Sequence, residues 1–273
     1  MSRPDQSITF LRQFGFTVLR RPRASAQPLD LMHLEGKDLS RLGDVTGLVV
    51  TGAKPVPSIE RDANPGIDIE GKETSKVNVS IGLSVLGSFI GALGGGNLGV
   101  TAAFSKARTV TFKYAGVLED RIAVLDLEKY VCAGSIDPSV PPGTIDKLID
   151  DEIYVTTAVL KTKKLVVSAQ GDAGQSIGVD VPVIQGAIGG NVKVETGGSL
   201  AQAVSFEGTV PIVFGLQAVQ LVFDETGQFL TTQQLEPGVA AAGAQPGIGG
   251  AATAPARNPV FLTPRGAFVR VAG

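Results

Sequence analysis

The stretch IYVTTAVLKTKKLVVSAQ, residues 153 to 170, decides the fold. β-Branched residues run through it, and it predicts one long strand. After it comes QSIGVDVPVIQGAIGGN, residues 175 to 191, a glycine-rich apolar insertion with a helical turn through Val183, Ile184, Ala187 and Ile188. Alternation then resumes in NVKVET, where Val192 and Val194 oppose Lys193 and Glu195. AVSFEG (203 to 208) and PIVFGLQAVQLVFD (211 to 224) supply further strands before a turn at ETGQ.

The same design occurs upstream, in the uncharged run VNVSIGLSVLGSFIGALGGGNLGVTAAFS, residues 77 to 105. Val77, Val79, Ile81, Leu83 and Val85 fall on alternate positions, which predicts a strand with one apolar face. Leu86, Phe89, Ile90 and Leu93 follow helical spacing, and Gly94, Gly95 and Gly96 stop that short helix. Alternation returns with Leu98, Val100, Ala102 and Phe104 and continues through Val110, Phe112 and Tyr114. Two long strand pairs, each interrupted by a glycine-rich apolar insertion, are therefore expected. Seven glycines and the change of period argue against a membrane helix through 77 to 105. Gly94, Gly96 and Gly99 satisfy G-x-G-x-x-G, but a dinucleotide fingerprint opens a helix, and β-branched alternation follows here.

Outside these pairs, residues 6 to 14 predict a short helix, GFTVLRR a first strand, 36 to 47 a short helix and turn, and 54 to 66 a proline-rich loop. Residues 120 to 134 carry a mixed pattern. TIDKLIDDE predicts a short helix from Thr144. Residues 237 to 256 contain no charge and are mostly Ala, Gly and Pro, the composition of a flexible linker. Beyond it, 257 to 273 holds Val260, Phe261, Leu262, Phe268, Val269 and Val271, too apolar for a free tail. The expected organisation is a body over 1 to 236, the linker, and a C-terminal segment that docks back on the body.

Composition narrows the function. Charged residues make up 18% and hydrophobic residues 43% of 273 residues, with a net charge of -2, so the chain is globular and carries no global nucleic-acid footprint. The N-terminus lacks an apolar secretory core, which predicts a cytoplasmic protein. Before Asp30, Arg3, Arg12, Arg20, Arg21 and Arg23 face one acid, Asp5. That excess is either a solvated basic edge or an attraction to anionic lipid, at about 1 kcal/mol per residue near the surface.

No catalytic set is visible. The lone histidine, His33, sits among apolar neighbours and reads as structural. The one cysteine, Cys132, follows an apolar run and reads as a small buried hydrophobe. Zinc-ligand spacings are absent, and no metal or cofactor is expected. Asp150 and Asp151 read as a solvated helix end, although a carboxylate pair assembled in three dimensions is a third-ranked alternative. Lys161, Lys163 and Lys164 lack the interleaved aromatics of a base-stacking surface.

The strand 153 to 170, its glycine-rich insertion and VSFEGTVPIVFGLQAVQLVFDE together resemble the pore-forming domain of the gasdermin family. FLRQFGFTVLRRPRASAQPLDLMHLEGKDLSRLGDVTGLV is similar to the family's start: a short helix, a basic strand and a PLDL run. The resemblance covers about residues 6 to 230 through order and spacing, and the short C-terminal segment resembles bacterial members, with fungal relatives the alternative. It implies an α+β fold with a twisted, largely antiparallel central β-sheet and short flanking helices, which converts in membrane to amphipathic hairpins of a β-barrel pore. It also implies a protein held inactive until a caspase-like or other protease removes the C-terminal peptide. The body then binds anionic inner-membrane lipid and assembles into a homo-oligomeric ring, killing the infected cell in anti-phage defence. Bacterial members often carry a lipidated cysteine near the N-terminus; positions 2 to 10 hold none, and Cys132 does not match that site.

Spanning strands need about 9 to 11 alternating residues. Val77 to Val85, Leu98 to Tyr114, Lys161 to Gln170 and Asn191 to Phe206 approach or exceed that length. The lipid-facing residues expected in the hairpins are Val77, Val79, Ile81, Leu83, Val85, Leu98, Val100, Phe104, Leu165, Val167, Val192 and Val194. Arg12, Arg20, Arg21 and Arg23 are the expected lipid-binding residues. Phe261, Leu262, Phe268 and Val269 are the expected inhibitory contacts, and Arg257 and Arg265 the expected cleavage sites, with Arg257 preferred because it borders the linker. The competing class is a non-enzymatic β-rich structural or binding protein, in which the insertions are only loops.

Overall fold

A computed structural model describes residues 15–35, 38–52, 54–65, 74–93, 95, 104, 109–170, 184–186, 192–197, 203–223, 228–234, 260–263 and 266–269. In its first half the strands are β1 (Thr17–Arg23), β2 (Asp30–Glu35), β3 (Asp38–Asp44), β4 (Val49–Val50), β5 (Glu60–Ala63), β6 (Thr74–Asn78), β7 (Thr109–Ala115) and β8 (Leu118–Arg121). In the second half they are β9 (Ser135–Ile136), β10 (Ile153–Gln170), β11 (Val192–Gly197), β12 (Ala203–Phe223), β13 (Phe229–Gln234), β14 (Val260–Thr263) and β15 (Gly266–Val269). The helices are α1 (Val79–Ala92), α2 (Val124–Ala133) and α3 (Pro142–Ile149).

Two long strands, β10 and β12, pair antiparallel from Tyr154↔Gln220 to Val167↔Val204 and form the spine. Three short strands follow one another along the outer edge of each. On β10 they are β2, β8 and β7. On β12 they are β13, β1 and β11. With β3, β5 and β6 added outside β2, β8 and β7, the sheet has eleven strands among the described residues. Together with the small β4–β9 ladder, every pairing described is antiparallel.

The spine has two dissimilar halves. From Ile153 to Thr162 every residue of β10 is buried; from Lys163 onward exposed or half-buried positions alternate with Leu165, Val167 and Ala169. The first half is covered on both faces, because Tyr154 and Val159 pack with Leu19, Met32 and Leu216 while Ile153 and Val155 pack with Leu48, Leu127, Tyr130 and Leu221. Among the described residues the second half is covered on one face, by α1 with Phe104 and Ile184. At the boundary the ladder breaks: Thr162 faces Ile212 but Lys164 faces Glu207. Pro211 lies in that break, where β11 has ended at Gly208 and β1 pairs from Val213, so its missing N–H leaves no ladder bond unmade.

β10 has the ends expected from the sequence, Ile153 and Gln170. Elsewhere the structure corrects the expectation. Val79, Ile81, Leu83 and Val85 lie in α1, not in a strand, and only Val77 belongs to β6. The reason is that Val79, Leu83, Leu86, Ile90 and Leu93 also follow helical spacing, so the run satisfies both periods, and packing on the sheet selects the helix. The helix ends where expected, with the Gly95 amide donating to the Ile90 carbonyl at 2.9 Å, the long-range bond of a Schellman cap. Residues 38 to 44 form β3 instead of a helix, because antiparallel pairing with β2, from Asp30↔Asp44 to Glu35↔Asp38, holds them extended. α3 begins two residues before Thr144, at Pro142, since proline suits a first helical turn. The loop over 54 to 66 contains β5, and β12 is one strand instead of two. The mixed stretch 120 to 134 ends β8 and forms α2. Residues 6 to 14 lie outside the described residues.

The close approach of α1 to β12 depends on one glycine. A Cβ at Gly208 would meet Cδ2 of Leu93, with Cγ and Cδ1 at 3.1 and 3.2 Å, so the whole leucine head would have to move. Gly208→Ala is expected to cost about 1–3 kcal/mol, seen as a lower thermal midpoint. Leu93→Ala in the same background should restore part of the loss through coupling of neighbours. Additive losses would show that the two residues do not press on each other.

Candidate functional site

The amphipathic half of the sheet and its helical cover form the candidate site. Leu165 and Val167 of β10, Val192 and Val194 of β11, Val204 and Phe206 of β12 and Tyr114 of β7 meet Leu86, Phe89 and Ile90 of α1 in one buried cluster. Phe104 and Ile184 join it, both fully buried. Tyr114 stacks on Phe214 with ring centroids 3.9 Å apart, and Phe89 tilts onto Tyr114 at 6.5 Å. Burying a side chain of this size contributes on the order of 1.5–3 kcal/mol. The side chains that meet in this cluster hold the cover by dispersion and desolvation.

Lys193 lies between Val192 and Val194, and Lys164, Glu195 and Glu207 flank Leu165, Val194 and Phe206. Lys164, Glu207 and Lys193 are register partners on three neighbouring strands. Lys164 Nζ lies 3.2 Å from Glu207 Oε2, and Lys193 Nζ lies 2.6 Å from Glu195 Oε1. The hydrogen bond with Glu195 holds the Lys193 ammonium above the usual lysine value, and the same bond holds the Glu195 carboxyl below its usual value. One strand set thus presents an apolar face to α1 and ion pairs beside it.

Of the residues expected in the hairpins, Phe104, Leu165, Val167, Val192 and Val194 are brought into that single cluster. Val77 pairs with Val110 at the edge of the same half. Leu98 and Val100 lie outside the described residues. Val79, Ile81, Leu83 and Val85 belong to the covering helix, as noted. Arg20, Arg21 and Arg23 lie on β1, which pairs with the middle of β12. Arg12, Arg257 and Arg265 lie outside the described residues. Phe261↔Phe268 and Leu262↔Ala267 are register pairs of the β14–β15 hairpin, Val269 pairs with Val260, and β14 lies beside β13.

Lys161 ends the doubly covered half, and the expectation of a simple basic cluster with Lys163 and Lys164 does not hold for it. Its ammonium is buried, 2.7 Å from Asp120 Oδ1 and 2.8 Å from Asp62 Oδ1. Asp120 also accepts from the Asp62 amide at 2.8 Å and faces Arg61 at 3.5 Å. Burial pulls the Lys161 ammonium down, but the hydrogen bonds it donates to Asp120 and Asp62 outweigh that and leave it above the usual lysine value. The bond from Lys161 holds Asp62 below the usual carboxylate value. This group ties β5 and β8 to β10 one residue before the ladder breaks at Thr162. The signal available in the sequence was a lysine within a run of residues with no other charge, Ile153 to Thr162.

His33 is buried with Nε2 3.0 Å from Glu152 Oε2, a structural pairing across β2 and the start of β10. Cys132 is exposed on α2, not buried: the apolar residues that α2 turns inward are Leu127, Tyr130 and Val131. Asp150 is exposed at the C-terminus of α3. Among the described residues no group of three or more His, Cys, Asp or Glu could hold a metal. Among them, too, no helix is long and apolar enough to cross a membrane.

The fold matches the solved structure of a bacterial gasdermin from Bradyrhizobium tropiciagri, with a TM-score of 0.61 at 14% identity, over 88% of this chain and 98% of that one. The class is therefore that of the bacterial gasdermin fold. The family model described as Bacterial Gasdermin Family matches residues 19–228. A gasdermin bGSDM from a Desulfuromonadales bacterium is 33% identical over 270 residues, 98% of each chain. Another, from Lysobacter enzymogenes, is 37% identical over 236 residues, 86% of each chain. This chain belongs to the bacterial gasdermin family, a family of pore-forming, non-enzymatic proteins.

Proposed function

We propose that the chain is an autoinhibited, protease-activated pore-former whose resting state is cytoplasmic. A caspase-like or other protease cuts near Arg257 and releases the C-terminal peptide. The body then binds anionic inner-membrane lipid through the basic residues around Arg12, Arg20, Arg21 and Arg23. The α1 cover unrolls, the β6–β7 and β10–β12 pairs lengthen into amphipathic hairpins, and a ring of copies closes as a β-barrel. Killing of the infected cell as a defence against phage follows from permeabilisation.

The observation that carries this reading is the switch of β10 at Lys163 from burial on both faces to strict alternation. Such a strand can exchange the apolar cover of α1 for lipid without exposing a charge on that face. Only a closed barrel then satisfies the backbone of every spanning strand. The run 79 to 85, whose apolar residues satisfy a strand period and also join the helical spacing of α1, is what a segment with two packings requires. Electron microscopy tests the assembly. Chain cut in the linker and mixed with anionic vesicles is expected to form rings; a monomer unchanged by cutting and lipid would favour a binding module instead.

A further inference from the structure

The strand β11 closes one side of the amphipathic half, and among the described residues its outer edge is met by a side chain and not by a strand. The Gln185 amide donates through Nε2 to the Val192 carbonyl at 2.8 Å and accepts at Oε1 from the Val194 amide at 2.8 Å. Val192, Val194 and Thr196 are the residues whose backbone groups point away from β12, since Lys193 and Glu195 alternate with them along the strand. One glutamine therefore copies the donor–acceptor pair that the next strand of a sheet would offer. Ile184, fully buried beside it, fixes the helical turn 184–186 against the α1 cluster and so holds the amide in place.

We propose that Gln185 masks a self-association edge, and that the partner which replaces it is a strand of a second copy of this chain. An uncovered strand edge is a template for pairing with another chain. Backbone pairing carries no side-chain code, so the neighbour must come from a symmetric assembly that delivers a strand in register. The side chains on the two faces of β11 suit such a neighbour: Val192 and Val194 continue an apolar face, and Lys193 and Glu195 a charged one. Because Gln185 is held through Ile184 to the cluster beneath α1, the edge opens when that cover leaves. Masking and activation are thereby coupled. This inference rests on the pore-forming reading above.

The test compares the full chain with its Gln185→Ala variant, each intact and each cut in the linker. Hydrogen exchange of the Val194 amide is expected to accelerate at least tenfold in intact Gln185→Ala, with the core amides of β10 unchanged; an unchanged Val194 rate would overturn the masking. Added to vesicles containing anionic lipid, the cut variant is expected to shorten the lag before dye release several-fold and to reach the wild-type plateau. Faster exchange with an unchanged or longer lag would overturn the assignment of a second copy as partner. Gln185→Glu, which keeps the acceptor for Val194 but loses the donor to Val192, should fall between the two. If cut wild-type chain releases no dye, the pore reading fails on its own account, and sedimentation velocity decides the edge: dimers or larger species in Gln185→Ala support masking of a self-association edge, and monomers at every concentration overturn it.

Discussion

Vesicles containing anionic lipid are expected to release nearly all of a trapped dye when the chain is cut near Arg257, and almost none when it is intact. The body is the same in both cases. What changes is the binding of the C-terminal hairpin β14–β15, which the structure places beside β13. While the linker is whole, the hairpin meets its site at an effective concentration of about millimolar; once it is cut, it dissociates and dilutes. On the proposed reading, weak docking suffices for inhibition in the first case and fails in the second. Phe261→Asp with Phe268→Asp, at the register pair of that hairpin, should reproduce the effect without cutting, raising leakage from the intact chain toward that of the cut one. Equal leakage from intact and cut wild-type chain would argue against inhibition by the tail, and leakage from neither would remove the pore reading.

The second large effect is expected at Lys161. Lys161→Met leaves Asp120, whose side chain is 5% exposed, without its ammonium partner. Breaking a buried pair from one side costs about 3–5 kcal/mol. Chemical denaturation should show this as a lower midpoint at unchanged slope. The double variant Lys161→Met with Asp120→Asn removes the stranded charge but keeps an acceptor for the Asp62 amide, and should recover most of the loss. Should the single variant fail to fold, a folded double variant still supports the argument, and failure of both with no recovery would overturn it.

The effect has a defined pH window. Because the Lys161 pKa is raised in the fold, its stabilisation is complete below the usual lysine value and is lost as pH rises through the raised one. Asp62 is shifted down, so its share is complete above the usual carboxylate value and is lost as pH falls through the lowered one. The stability gap between wild type and Lys161→Met should therefore be flat near neutrality and narrow at both extremes. A gap independent of pH would mean that packing of the lysine stem, not its charge, carries the loss.

How much of this could be read from the sequence varies by element. β10 was legible to its ends because β-branched side chains favour a strand locally and no competing pattern runs through it. α1 was legible from Leu86 to its end but not over 79 to 85, because spacing alone cannot choose between a helix and a strand when apolar residues satisfy both periods and glycine and serine fill the gaps. β3 was missed for a different reason: Asp38–Asp44 has little strand character of its own and is extended because β2 pairs with it. Lys161 looked like one of three neighbouring basic residues, since its partners lie at positions 62 and 120. Gln185 carried no signal in a glycine-rich stretch; its role appears only when the backbone of β11 is set beside it.

The sequence by itself determined the family, the long strand β10, the two apolar insertions and the lack of a visible catalytic set. Those are properties of composition, spacing and order, which survive without coordinates. Only the tertiary structure decided which period the segment 79 to 85 obeys, where burial on both faces gives way to burial on one, and which polar groups close the sheet. Each of those is settled by what lies against a residue from a distant part of the chain, and desolvation and backbone pairing act across that distance regardless of spacing along the sequence.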